Sequence, residues 1–142
     1  MATPKEDCES LLGFVLPFAE QMLARFGEFY PYGGAMLPNG EIVSVAGYDG
    51  HEHPPSNDVI SLLKERFVHA AKAGQYKAAA LVYDIRYRTS QNDEQSDAIA
   101  VSLNHRDGYS VIVIFPYRLD SGKPVLHAPV AQKGEGDIFP PI

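Results

Sequence analysis

Residues 97–117 read DAIAVSLNHRDGYSVIVIFPY, two apolar runs separated by a turn. Asp107-Gly108 is favoured chemistry for a tight β-hairpin, so the spacing predicts strands over 97–105 and 109–117. A two-residue turn sets Asp97 opposite Arg118. A three-residue turn that takes in Arg106, with Gly108 as a bulge, slips the register by one and loses that pair. We adopt the two-residue turn. In that register Ala98, Ala100 and Ser102 share a face with Val111, Val113 and Phe115, while Ile99, Val101 and Leu103 share the other with Ile112 and Ile114.

Both faces are therefore apolar, unlike the in-out alternation of a half-solvated antiparallel sheet. Leaving five such side chains in water forgoes roughly 1.5–3 kcal/mol each. The sheet needs two covers. Three sources are available: the first helix on the side opposite the second, the C-terminal tail folded back, or a second subunit. The last makes a homodimer or other protein partner an expectation, with Ile99, Val101, Leu103, Ile112 and Ile114 as interface candidates.

The remaining elements follow from local chemistry. Thr3-Pro4-Lys5-Glu6 is a capping box with Pro at the first helical position, and Leu11, Leu12, Val15, Phe18, Met22 and Phe26 give the helix that follows an apolar stripe. Pro17 predicts a kink or break, and Gly27 a stop. Leu37-Pro38-Asn39-Gly40 is turn chemistry joining a short strand over 34–37 to one over 41–48. A second helix over 56–73 ends at Gly74, its stripe formed by Ile60, Leu63, Phe67 and Ala70. Residues 77–88 alternate as a strand, with Ala79, Leu81, Tyr83, Ile85 and Tyr87 on one face. The other face runs from Ala78, Ala80 and Val82 to polar Asp84, Arg86 and Arg88. From about 119 the sequence reads as an irregular tail.

The result is one α+β domain over 1–142, a five-stranded antiparallel sheet with two helices in the order α-β-β-α-β-β-β. Profilin-like and roadblock-like domains share this order, an analogy of fold that carries no activity.

Charge sharpens the partner classes. The chain has 12 basic and 18 acidic side chains, a net charge of −6, which disfavours a nucleic-acid binder relying on phosphate neutralisation. Residues 1–71 hold the whole excess, either as ordinary solubilising surface or as an acidic face for a basic partner. No apolar run is long enough for a membrane helix. The opening MATPKEDCES is too acidic for a signal or transit peptide, so a cytoplasmic protein is expected. One cysteine excludes an intramolecular disulfide framework.

No catalytic constellation, cofactor motif or metal site is assigned. His51-Glu52-His53 is the most metal-like string, but it lacks HExxH spacing and a third ligand, and it reads as a polar loop. Cys8 has no inferable base and reads as inert. His105-Arg106-Asp107 spells the kinase catalytic-loop triplet at a hairpin turn, without any companion motif. The ligand candidates are Asp84, Arg86, Arg88 and Arg118. They either bind an anion through arginine or form a cross-strand ion-pair network.

Glu28-Phe29-Tyr30-Pro31-Tyr32-Gly33, Tyr48-Asp49-Gly50, Tyr83-Asp84-Ile85-Arg86, Asp97-Ala98-Ile99-Ala100-Val101 and Phe115-Pro116-Tyr117 together resemble a family of small uncharacterised single-domain bacterial proteins. The resemblance spans nearly the whole chain. It implies a bacterial origin and transfers no activity or residue role; some small bacterial α+β proteins act as immunity partners of toxins. The expected function is a non-enzymatic binding or interaction domain. The alternative is a small-molecule enzyme or sensor at the Asp84/Arg86/Arg88 end of the sheet.

Overall fold

Helix α1 (Pro4–Phe26) begins on the expected capping box, in which Thr3 Oγ1 accepts from the Glu6 amide at 3.1 Å. It ends at Gly27 in the left-handed region, φ 72°. The computed structural model describes residues 2–45, 56–88 and 95–140. The elements that follow are β1 (Tyr32–Met36), β2 (Ile42–Val45), α2 (Ser56–Lys72), β3 (Ala78–Arg88), β4 (Gln95–His105), β5 (Ser110–Asp120), β6 (Lys123–Leu126) and β7 (Val130–Lys133). Among the described residues the molecule is α+β, with two helices and an antiparallel sheet in the order β2-β1-β3-β4-β5-β6. Strand β7 pairs with Val111–Ile114 of β5, so β6 and β7 divide one sheet edge between them.

Among the described residues the expected five strands become seven, and the extra two come from the segment read as an irregular tail. Ser121 and Gly122 both have positive φ, 53° and 79°, which is the backbone of a two-residue hairpin turn. The added strands depart from the profilin- and roadblock-like element order.

Helix α1 also departs from expectation, because it passes unbroken through Pro17. Proline removes the N–H that would serve the Gly13 carbonyl. Both residues are exposed, so water can satisfy that carbonyl. On the opposite side of the helix the Tyr32 hydroxyl donates to the Val15 carbonyl and faces the Ala19 amide, bracing the turn that contains the proline. The buried stripe is Cys8, Leu11, Val15, Ala19 and Leu23. Phe18 and Phe26, expected within it, are exposed.

The β4–β5 turn corrects the adopted register. His105 N–H donates to Tyr109 O at 2.8 Å, and Gly108 has φ 93°. Arg106, Asp107 and Gly108 therefore form a three-residue loop with glycine in the left-handed position. Asp97 sits opposite Tyr117, not Arg118. Every side chain of β5 consequently changes face relative to β4. Ile99, Val101 and Leu103 join Phe115 and Tyr117, with Val111 and Val113 packed against them, beneath α1. Ala98 and Ala100 join Ile112 and Ile114 on the other side.

The demand for two covers is met within the chain. Helix α1 covers one face of the sheet. On the other, Val59, Leu63 and Phe67 of α2 pack with Ala35, Ala79, Leu81 and Ile138. Two sources that were alternatives act together: the helices lie on opposite faces, and the segment after β7 returns to support α2. Glycines allow the close approach. A Cβ on Gly33 would lie 2.5 Å from Ala80 O and 2.7 Å from Phe67 Cζ, and one on Gly34 would lie 2.6 Å from Val15 Cγ1. Strand β1 is thus pressed by α2 and α1 from its two sides.

Candidate functional site

Three side-chain groupings merit chemical analysis, beginning with the sheet end singled out in the sequence. Ala78, Ala80 and Val82 of β3 face α1, and the register aligns Asp84 with Ile99 and Phe115, and Arg86 with Asp97 and Tyr117. Tyr117 is buried and donates its hydroxyl to the Asp84 carboxylate at 3.1 and 3.2 Å. Burial raises the Asp84 pKa to about 6; the Tyr117 bond opposes that rise and the neighbouring Asp97 charge adds to it. Burial, followed by the Asp84 charge, also pushes the Tyr117 phenol upward. Arg86 Nε lies 3.7 Å from Asp97 Oδ1, both side chains being mostly exposed.

Arg88 continues the strand opposite Gln95. Arg118 does not join the group. Its register partner is Val125, whereas the adjacent pair Tyr117–Leu126 faces α1, so strand alternation places Arg118 on the opposite face. The sheet end thus combines a carboxyl whose pKa burial raises to about 6 with a tyrosine and the exposed Arg86–Asp97 ion pair. Two carboxylates stand beside Arg86, a poor balance for holding an anion.

A second grouping was not anticipated. Asp7 and His105 are 6% and 4% exposed. Asp7 Oδ2 lies 2.9 Å from His105 Nε2 and 3.3 Å from Lys77 Nζ. Asp107 N–H donates to His105 Nδ1 at 3.1 Å, leaving the ring proton on Nε2, aimed at Asp7. Both imidazole nitrogens are engaged, so the ring has no lone pair for a substrate. The three residues tie the first turns of α1 to the β4–β5 turn. One signal was present in the sequence: His105 continues the Ile99, Val101, Leu103 parity into the face beneath α1.

The third grouping is an apolar groove of about 220 Å³ between α1 and the β1–β2 edge, lined by Phe14, Val15, Phe18, Tyr32, Gly33, Ser44 and Val45. Phe14 and Phe18, one helical turn apart, are 45% and 41% exposed. The Phe18 ring meets Tyr32 edge-on, with centroids 4.8 Å apart. Tyr32 is held in turn by its bond to the Val15 carbonyl. The groove therefore has a fixed floor and aromatic walls open to solvent, the composition of a protein contact surface. The sequence contained this signal, but Phe18 read there as core.

The other sequence candidates fall as follows. Ile99, Val101, Leu103, Ile112 and Ile114 are all buried, split between the two faces and packed by this chain itself. Cys8 is buried, and its thiol pKa is pushed up to about 12 by burial and by the Asp7 charge, the opposite of an activated nucleophile. His51 and His53 lie outside the described residues, as does the end of the strand expected over 41–48. Among the described residues no group of three or more His, Cys, Asp or Glu is placed to hold a metal ion. Among the described residues no helix is long and apolar enough to cross a membrane. Compared with known proteins, the chain matches no family model, no curated protein and no solved structure.

Proposed function

We propose that this chain is a non-enzymatic binding domain that engages a protein partner through the Phe14/Phe18 groove. One observation carries the reading: two solvent-exposed phenylalanines stand beside a braced Tyr32, on a molecule whose two sheet faces are already covered. Aromatic residues in a preformed groove are the usual anchors of protein interfaces. The acidic excess of residues 1–71 favours a partner of basic character, and neutralisation of a basic toxin is one such role. A bacterial, cytoplasmic setting accords with the resemblance to small bacterial proteins.

The second reading, a small-molecule site at Asp84 and Arg86, is favoured by the Tyr117 hydroxyl bonded to the Asp84 carboxylate beside Arg86, where burial raises the Asp84 pKa to about 6. Two assays separate them. A stoichiometric protein partner retained by the unaltered chain and lost on Phe14→Ser/Phe18→Ser supports the interaction domain. Thermal stabilisation by an anionic metabolite, abolished by Arg86→Ala, supports the sensor or enzyme.

A further inference from the structure

After β7 the chain leaves the sheet edge and crosses the second face as a strap without regular secondary structure. Its course is fixed at a few points. Gly134 N–H donates to the Ser110 carbonyl at 3.2 Å, and Gly136 N–H donates to Ser110 Oγ at 3.1 Å. The Ser110 hydroxyl donates onward to buried Asn104 Oδ1 at 2.8 Å. At the far side Lys64 Nζ on α2 reaches Glu135 Oε2 at 3.2 Å and Asp137 Oδ2 at 3.0 Å. Between these anchors the strap lies near Tyr83, whose pKa is raised by burial and then by the Glu135 charge. Ile138 is buried among Val59, Leu63 and Phe67, with Phe139 packed beside it.

This is peptide recognition performed within one chain. A cation on α2 selects two acidic side chains at i and i+2, an apolar pocket takes the next residue, and sheet-edge backbone fixes register. Few of the holding contacts bury a side chain of the strap. The carboxylates of the ion pairs are exposed, where such pairs contribute little, and among the described residues Ile138 is the strap's buried side chain. The glycines at 134 and 136 contribute backbone bonds but no side-chain packing.

We propose that the surface between Lys64 and Ser110 is a docking site for an extended acidic peptide with an apolar anchor, supplied by a partner protein, and that residues 134–139 are its competitor in cis. Charge complementarity and the seated segment identify the occupant's chemistry: two carboxylates for Lys64, followed by a branched or aromatic side chain for the α2 pocket. Being tethered, the strap competes at an effective concentration in the millimolar range, so a partner gains access only when the strap is weakened or outcompeted. This site is separate from the Phe14/Phe18 groove, and neither reading depends on the other.

The test uses the full chain carrying Glu135→Lys/Asp137→Lys, which sets the strap against Lys64, and a labelled peptide of residues 133–140. Fluorescence anisotropy should show saturable one-to-one binding to the variant, at least tenfold tighter than to the unaltered chain. A peptide with lysine at both acidic positions should not bind. Equal affinity for both chains overturns the proposal, as does no binding to a variant whose circular dichroism is unchanged. Dimers of the variant in light scattering overturn it in favour of strap exchange between copies. If the double variant does not fold, Ile138→Ala replaces it in the same titration.

Discussion

His105 Nε2 lies 2.9 Å from Asp7 Oδ2, joining the start of α1 to the end of β4 across 98 residues of sequence. Lys77 contacts the same carboxylate oxygen. Removing one partner of such a cluster strands the others in a buried site. Asp7→Ala should therefore cost about 3 kcal/mol, and Asp7→Asn, which keeps a hydrogen-bonding group, about 1–2 kcal/mol. Urea unfolding at pH 7 measures both.

Acid stability should carry the same signature. Burial works to raise the Asp7 pKa, but hydrogen bonds from His105 and Lys77, with the Lys77 charge, outweigh it and hold the carboxyl below its ordinary value. A depressed folded-state pKa adds stability that is fully present above the unfolded value, near 4, and is lost as pH falls through the folded one. Relative to Asp7→Asn, the unaltered chain should lose stability more steeply below about pH 4. Parallel slopes between pH 4 and 2 would refute this.

Asp84 has the opposite sign. Its folded pKa, about 6, exceeds the unfolded value, so the folded state binds the proton more tightly and stability falls as pH rises from about 4 to 6. Solvent contact limits the effect to about 1 kcal/mol or less. Asp84→Asn should be more stable than the unaltered chain at pH 7 by up to that amount, and indistinguishable from it at pH 4. The side-chain carbon resonance of Asp84, followed by NMR, gives the titration midpoint directly.

The two helices define a contrast between glycines. Gly33→Ala must force a Cβ against the Ala80 carbonyl and the Phe67 ring, at a cost of about 2–3 kcal/mol. Gly13→Ala, with open space at its Cβ, should stabilise by about 0.5–1 kcal/mol as an exposed helix position. Thermal unfolding of the pair orders them unambiguously.

Much of this fold was legible because local chemistry and tertiary structure agreed. The Thr3–Glu6 box, the Gly27 stop, the alternation of 78–86 and the need for two sheet covers all follow from residue type and spacing. The departures have local physical causes. One residue in the 106–108 turn decides the pairing of every β5 side chain, and Asp-Gly is compatible with either loop length. Pro17 reads as a break because its missing N–H is visible in the sequence, whereas the brace from Tyr32 is not. Phe18 matches helical spacing, but the buried line of α1 runs through Val15, Ala19 and Leu23 and leaves Phe18 at its rim against Tyr32. The strands after Asp120 are four residues each, too short for periodicity to reveal. Of the sequence-read site, Asp84 and Arg86 do come together, whereas Arg118 is lost with the register.

The most direct test of the interaction-domain reading is the affinity of the recovered protein partner for three chains: unaltered, Phe14→Ser/Phe18→Ser, and Arg86→Ala. Loss of an aromatic anchor typically costs about 2 kcal/mol or more. The groove variant should therefore bind at least about thirtyfold more weakly, with its circular dichroism unchanged, while Arg86→Ala binds within about twofold of the unaltered chain. Full affinity in the groove variant, with the loss appearing at Arg86→Ala, would contradict the account.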